Sequence, residues 1–371
     1  MLKDQPTPMF AGLSPAQFMR RYWQKKPLLV RQAFPGVQPP ATLKDLAALA
    51  TRDDVESRLV TAFDGQWKLK RGPIARLPAM SKPRWTLLVQ GLEQHLDPAR
   101  EMMDLFRFIP DARLDDLMLS VASDGGGVGP HFDSYDVFLI QLAGKRRWRI
   151  GAQKDAQLVP GLPVKIIANF KPEQDYVLEP GDMLYLPPGW AHDGVAEGPG
   201  CMTGSVGFRT MTGPAMAAEL LPRLIDELDP RAKLYADPRQ AATDTPGLVP
   251  PELQAFARKA AELALSQPLA LERALGETLS ELKAQVWFEP GEPLPVGAGA
   301  MLDRRSRMLY DAAHVFLNGE SFRAGGRDAR LMRRLADQRL LSAPDVARLS
   351  DGARELLDQW AEDGWVQPMP A

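Results

Sequence analysis

Up to Arg209 the apolar residues alternate mostly with the period of strands, and beyond it they follow the period of helices. Ser14 as an N-cap before Pro15 predicts a helix over PAQFMRRYWQKK, followed by a strand in LLVRQAF. Thr42 opens a second helix, TLKDLAALA. SRLVTAF and WKLKRG read as a hairpin about Asp64-Gly65, RWTLLVQ continues the β character, and DPAREMMDLFRFI reads as a short helix capped by Asp97. In DDLMLSVAS, 115–123, Leu117, Leu119 and Val121 share one face and Asp116, Met118 and Ser120 the other. One face packs; the other either lines a pocket or meets water.

Next comes VFLIQLAGKRRWRIG, where Gly144 is read as closing a hairpin. In KRRWRIG, Arg146, Trp148 and Ile150 share one face while Lys145, Arg147 and Arg149 share the other. DYVLEPGDMLYLPPGW gives two short strands around Pro180-Gly181, and CMTGSVGFR, 201–209, gives the last strand of a barrel. About eight such strands make a jelly roll.

Helix then takes over. Segment 213–228 carries Leu220, Leu221, Leu224, Ile225 and Leu228 on one stripe, and 250–265 carries Leu253, Phe256, Ala260 and Leu263. Such stripes are core or a subunit interface, and homodimerisation through them is expected. A Pro-rich linker spans 236–251. From about Ala284 a third unit shows strands in AQVWF and AHVFLNGESFRAG, with Asn318-Gly319 as a hairpin turn, then the helices DARLMRRLADQRLL and SDGARELLDQWAEDG and a final WVQP. This mix resembles a winged helix. The sequence therefore divides into 1–210, a barrel with an N-terminal extension; 211–280, a helical dimerisation segment; and 281–371, winged-helix-like.

Composition narrows the class. With 371 residues, 45% hydrophobic and 25% charged, there is material for a sizeable core. A formal net charge of −2 gives no bulk electrostatic case for nucleic acid or anionic membrane, so direct nucleic-acid binding is not expected. A single cysteine, Cys201, excludes an internal disulfide framework; it reads as a small buried hydrophobe rather than a further ligand. The first residues carry no apolar h-region and no run is long enough to span a bilayer, which reads as cytoplasmic. His95 and His314 fall in helical and hairpin contexts and read as ordinary.

The chemistry concentrates in two stretches, GGGVGPHFDSYDVFLIQ and PGDMLYLPPGWAHDGV. His131 and Asp133 sit at strand spacing i, i+2, and His192 follows the turn-forming Pro187-Pro188-Gly189. Two imidazoles and one carboxylate form the ligand set of a non-haem Fe(II) site with open positions, although Mn(II), Ni(II) or Co(II) would suit the donors too. An isolated H-x-D is common; the framing glycines and prolines give this one its weight. GGGVGP lacks the lysine and following helix of a phosphate loop and reads as a flexible approach to His131.

These paired motifs resemble those of the cupin double-stranded β-helix, with Asp133 in place of the second His and Val137 where a further acid would stand. The H-x-D, distal His and basic Arg146 fifteen positions after His131 resemble the JmjC-type 2-oxoglutarate oxygenases. A lone arginine on an apolar strand face needs an anion, and its fork matches a carboxylate bidentately. The competing reading of KRRWR is a basic nucleic-acid patch.

The order of barrel, helical segment and winged-helix-like module resembles the ribosomal oxygenases, and GGGVGPHFDSYDVFLIQ resembles bacterial members of that family. The resemblance implies an α+β fold built on a double-stranded β-helix, and an enzyme using Fe(II), 2-oxoglutarate and O2. It further implies Arg146, helped by Ser120, as the cosubstrate anchor. The implied reaction is hydroxylation of an arginine of the large-subunit ribosomal protein numbered sixteen, where animal relatives hydroxylate histidine. Asp116, two residues before Met118 on the same face, could grip a guanidinium, and Tyr135 could wall its stem. The ligands alone do not separate hydroxylation from demethylation. A metal-binding cupin without oxygenase activity and a ribosome-associated adaptor are the other classes compatible with the residues.

Overall fold

The computed structural model describes residues 3–63, 65–226, 228 and 234–369. It comprises two compact units, one ending at Thr210 and one beginning at Met211.

In the first unit the helices are α1 (Pro15–Arg21), α2 (Leu43–Leu49) and α3 (Asp97–Asp104). The strands are β1 (Leu28–Val30), β2 (Ser57–Phe63), β3 (Gln66–Arg71), β4 (Trp85–Val89), β5 (Leu114–Ala122), β6 (Val137–Gly151), β7 (Gln174–Leu178), β8 (Met183–Leu186) and β9 (Ala191–Phe208). Ser14 is the expected N-cap, and it forms a capping box with Gln17, as Thr42 does with Asp45. Asp97 is not the cap of α3: Leu96 holds that position without a side-chain bond, and Asp97 begins the helix. Asp64, at the tip of the β2–β3 hairpin, lies outside the described residues.

All nine strands join one antiparallel sheet in the order β1-β8-β6-β9-β5-β4-β2-β3, with β7 on the far half of β6. This is the expected double-stranded β-helix. One sheet face packs beneath the N-terminal helices, where Phe10, Phe18, Phe138, Tyr185 and Phe208 are fully buried among Leu117, Leu119 and Val121. The opposite, inner face holds a separate cluster of Val137, Leu139, Trp148, Ile150, Leu178, Leu184 and Leu186.

Gly144 does not close a hairpin. β6 runs through it as one strand of 15 residues, and the register with β9 shifts on either side of Ala143. Leu142 and Ala143, though adjacent, both pack on the helix-covered face. This bulge reverses the alternation. Odd-numbered Val137 and Leu139 face inward before it, and even-numbered Trp148 and Ile150 after it. Gly144 sits at φ +63, and a Cβ there would lie 3.0 Å from the Cys201 Cα.

The run GGGVGP is likewise not a flexible approach. A Cβ on Gly126 would lie 2.3 Å from the Trp85 carbonyl oxygen, and one on Gly127 would lie 2.5 Å from that of Gly194. These glycines let backbone pass against backbone.

The second unit contains α4 (Gly213–Asp226), α5 (Pro251–Ser266), α6 (Ala270–Ser280), α7 (Gly326–Gln338), α8 (Ala343–Val346) and α9 (Asp351–Glu362). Its first sheet sets β10 (Ala300–Leu302) between β14 (Leu340–Leu341) and β15 (Val366–Pro368). Its second is β11 (Met308–Tyr310), β12 (His314–Leu317) and β13 (Glu320–Arg323), turning at Asn318-Gly319 where both residues have positive φ. AQVWF, expected as a strand, is turn and irregular backbone with no strand partner. The core of this winged helix is Leu317, Leu331, Leu335, Leu357 and Trp360. Residue 227 and residues 229–233, around the end of the expected helix 213–228, lie outside the described residues, and Leu228 alone is described there. No helix among the described residues is long and apolar enough to cross a membrane.

The β6 bulge can be tested against a glycine of similar backbone in open space. Gly161 has φ +75 with nothing near its Cβ position. Gly144→Ala is expected to lower the unfolding free energy by about 1–3 kcal/mol more than Gly161→Ala, the cost of overpacking. Urea denaturation of the two variants measures it; equal losses would mean that only backbone strain matters at Gly144.

Candidate metal centre

His131 and His192 exchange both backbone hydrogen bonds, His131 N–H to the His192 carbonyl at 2.9 Å and the reverse at 2.7 Å. The pairing sets the ring centroids 4.2 Å apart. The backbone from Phe132 to Asp136 is irregular, so Asp133 is not brought beside His131 by strand alternation. The Gly189 N–H, donated to the Asp133 carbonyl at 2.8 Å, ties it instead to the Pro187-Pro188-Gly189 turn. One His192 Nε2 to Asp133 Oδ2 distance is 3.6 Å.

Each imidazole is oriented by its own backbone. His131 Nδ1 lies 2.9 Å from the Gly129 carbonyl oxygen and His192 Nδ1 lies 2.9 Å from that of Trp190. With Nδ1–H donated to a carbonyl, Nε2 carries the free lone pair, the tautomer a metal ligand needs. Burial and the neighbouring His131 push His192 down to about 4, against the opposing pull of Asp133, so its imidazole is neutral near pH 7. The three donor atoms lie within 4.8 Å of one another. That span suits one ion bonding each ligand at about 2.1 Å, and the donor set fits ferrous iron.

Arg146 stands on the inner face with Trp148 and Ile150, as its parity predicts, and is only 4% exposed. Its Nη1 donates to the Gly194 carbonyl at 3.3 Å, while Nε and Nη2 have no partner among the described residues. The guanidinium lies 5.7 Å from the Trp148 ring, which in turn lies 5.8 Å from the His192 ring. A buried cation with two unfilled donors is costly without an anion, so the side chain fits a carboxylate ligand. The outward residues are satisfied differently: Lys145 pairs with Glu179, Arg147 with Asp175 and Glu197, and Arg149 with Asp193. The nucleic-acid reading of KRRWR thus loses its free cations.

Ser120, Met118 and Asp116 share the inner face of β5, with Ser120 opposite Thr203 and Met118 opposite Ser205 on β9. Ser120 Oγ donates to the Thr203 carbonyl at 3.3 Å. The Asp116 carboxylate accepts from Gly91 N–H at 3.2 Å, and its other oxygen faces Gly207, whose Cβ position also meets the Tyr135 ring. Burial, and then the charges of Asp133 and Asp116, push the Tyr135 phenol up. Tyr135 thus stands two residues after Asp133 and shares the Gly207 neighbourhood with Asp116.

Sequence reasoning missed Arg58, Gln90 and Gly194. Arg58 donates to Gln90 at 2.6 Å and to the Met118 sulfur at 3.8 Å, and Gln90 reaches Asp116 at 3.5 Å. Strand parity with Val60 could have flagged Arg58; nothing local marks Gly194, where a Cβ would lie 2.6 Å from the Trp148 ring. Cys201 is fully buried and is not among the three clustered ligands, and His95 and His314 are not either.

A JmjC domain model matches residues 101–216 and a ROXA-like winged-helix model matches residues 263–367. The ribosomal protein uL16 3-hydroxylase of Escherichia coli is 36% identical over 327 residues, 84% of this chain and 86% of that protein. A probable ribosomal oxygenase of Haemophilus influenzae is 41% identical over 202 residues, 53% of this chain and 50% of that one. The solved structure of E. coli YcfD superposes with a TM-score of 0.85 at 30% identity, covering 96% of this chain and 98% of that one. YcfD, a ribosomal oxygenase, in complex with cobalt and 2-oxoglutarate superposes with a TM-score of 0.81 at 29% identity, covering 96% and 99%.

Cobalt also supplies the test of the ligand set. Asp133→Ala is expected to weaken Co(II) binding by at least about 100-fold, beyond the range seen for residues that only orient ligands. Cys201→Ala should leave it unchanged. Visible-absorption titration of the two variants measures both, and a Co(II) spectrum altered by the cysteine change would put a fourth ligand in the site.

Proposed function

This chain belongs to the JmjC-type ribosomal oxygenases, and from that premise we propose that it is an Fe(II)- and 2-oxoglutarate-dependent oxygenase hydroxylating an arginine side chain of the large-subunit ribosomal protein uL16. The observation that carries this reading is the buried Arg146, with Nε and Nη2 unfilled, on the barrel face that also holds the His192 neighbour Trp148.

The residues divide the work. His131 and His192 present Nε2, and Asp133 an anionic oxygen, to the metal. Arg146 is held by Gly194 so that its two remaining donors form a fork for the distal carboxylate of 2-oxoglutarate, with the Ser120 hydroxyl assisting. Val137, Leu139, Leu184 and Leu186 keep that end dry, which strengthens the ion pair. Asp116 receives the substrate guanidinium while Tyr135 and Met118 flank its stem, a carboxylate choice that suits arginine better than a neutral imidazole. With metal, keto acid and dioxygen bound, the site supplies oxidative decarboxylation to succinate and CO2, coupled to insertion of one oxygen atom into a C–H bond of the target residue. No general base is required of the protein.

The second unit carries the proposed self-association. Leu221, Ile225, Leu253, Phe256 and Leu263 on α4 and α5 are exposed, a patch of a kind that marks an interface. Segment 211–280 is therefore assigned to homodimerisation and 281–371 to the winged helix. A ribosomal substrate places the enzyme in the cytoplasm.

Arg146→Ala should retain Co(II) binding yet lose 2-oxoglutarate turnover by about 100-fold, as when a charged hydrogen-bond partner worth up to about 3 kcal/mol is removed. Intact-mass spectrometry of uL16 from cells with and without the gene should differ by one oxygen atom; an identical mass removes the ribosomal substrate. For the dimer, Phe256→Glu is expected to halve the mass read by sedimentation equilibrium, and a wild-type monomer would remove the interface.

A further inference from the structure

The β2–β4 end of the first sheet partitions charge in a way that the net balance conceals. Between Gly65 and Leu92 the sequence holds Lys68, Lys70, Arg71, Arg76, Lys82 and Arg84 and no Asp or Glu, in a protein of formal net charge −2. All six are exposed, and none forms an ion pair with a described carboxylate. Lys165, exposed and equally unpaired, joins them next to Ile166. The contrast is with the outward cations of β6, each held by an acid on a neighbouring strand.

The register sets Lys68, Lys70 and Arg71 on β3, Lys82 over Phe63 of β2 and Arg84 just before β4, all at one end of the sheet. β3 bonds only to β2, so it ends the sheet and leaves its outer backbone groups open. By register Lys68 and Lys70 stand opposite Thr61 and Leu59, and the Lys82 ammonium lies 4.7 Å over the Phe63 ring on that same face. Arg71 and Trp67 point to the other face, Arg71 directly opposite Arg58. The Trp67 ring reaches to within 3.1 Å of the Cβ position of Gly129, with Ile166 alongside. Gly129 is the residue whose carbonyl orients His131. Through Trp67, the Arg71 face of this edge thus reaches the backbone that carries His131.

Unneutralised cations this dense repel one another and raise the local potential over a screening length of about 8 Å at physiological salt. Three of them, Lys68, Lys70 and Arg71, lie along a strand of 6 residues, a length of about 20 Å at 3.3 Å per residue. One small anion cannot cover that line, whereas a phosphodiester backbone wrapping the open edge can, and the half-exposed Trp67, on the Arg71 face of the same strand, offers a face for a base. We propose that this edge binds RNA, docking the RNA that surrounds the substrate beside the metal mouth; the identity of that RNA as ribosomal rests on the uL16 reading, the binding itself does not.

The test is fluorescence anisotropy of the full-length protein with a fluorescein-labelled single-stranded RNA of about twenty nucleotides, longer than one stacking platform occupies. Wild type should bind with log Kd rising in proportion to log salt, and the charge-reversed K68E/K70E/R71E should bind at least about 10-fold more weakly with a slope lower by about two, at roughly 0.7 per lost phosphate contact. The milder K68Q/K70Q, which changes only exposed positions, should fall between them. All three proteins should hydroxylate a free uL16 peptide at the same rate, which shows each is folded. Equal RNA affinity across the three, or wild-type binding insensitive to salt, overturns the proposal. So does displacement of the RNA by polyglutamate at equal charge, which would assign the edge to an acidic protein. A protein that binds RNA as described but leaves uL16 unmodified would sink the uL16 reading and keep this one.

Discussion

Two reciprocal hydrogen bonds between the backbones of His131 and His192 hold the site together. Side chains at these positions come from opposite ends of a long excursion through β6, β7 and β8, so no local propensity could join them. The bridge sets one imidazole beside the other, their planes tilted by 58°, and each ring is then turned by the carbonyl two residues upstream. For the bridge to form, the segment before His131 must slide between β4 and β9 at backbone contact distance. Gly126 and Gly127 are there because a methyl group at either would meet a carbonyl oxygen. The same approach leaves Gly194 facing both the Trp148 ring and the Arg146 guanidinium. The clustered donors of His131, Asp133 and His192 and the buried Arg146 guanidinium are thereby referred to one stretch of β9.

The bulge in β6 decides which residues accompany them. A regular strand starting with Val137 inside would turn Lys145, Arg147 and Arg149 inward and Arg146 out. Doubling Leu142 and Ala143 on the helix-covered face reverses that choice. One arginine enters the apolar interior, and its three basic neighbours meet Glu179, Asp175, Glu197 and Asp193 on the outside. The extra residue in one strand converts a polar segment into a pocket wall with a single cation.

Much of this was legible in the order of residues alone. The alternation in 115–123 and in KRRWR gave the correct faces, the Asn318-Gly319 turn formed as expected, and His131, Asp133 and His192 converge. The reasons behind two of these were not legible. Asp133 reaches the site through irregular backbone tied to Gly189, because tertiary hydrogen bonds override the i, i+2 geometry of a strand. Gly144 looked like a turn because a glycine with positive φ serves a bulge as readily as a hairpin, and only the partner strand tells them apart. AQVWF failed for a related reason: β-branched and aromatic residues favour a pleated surface, and here no neighbouring strand supplies one. Arg58 and Gln90 remained invisible since their role depends on register with Met118 and Asp116 on β5.

A buried guanidinium with unfilled donors works against folding, so something must hold it in place before any ligand arrives. Arg146 is bonded in register to Leu178 on one side and Ala196 on the other, in the interior of a sheet, where a change of backbone direction would break both ladders. Its guanidinium is restrained as well: Trp148 and the apolar inner cluster close one direction, and the Gly194 carbonyl holds one nitrogen. The unfilled donor set is therefore maintained by the ladder rather than by any contact of its own. On the proposed reading, a carboxylate would meet an arginine already desolvated and aimed, so little ordering would oppose its binding, and selectivity for a planar anion would lie in the backbone that carries the guanidinium.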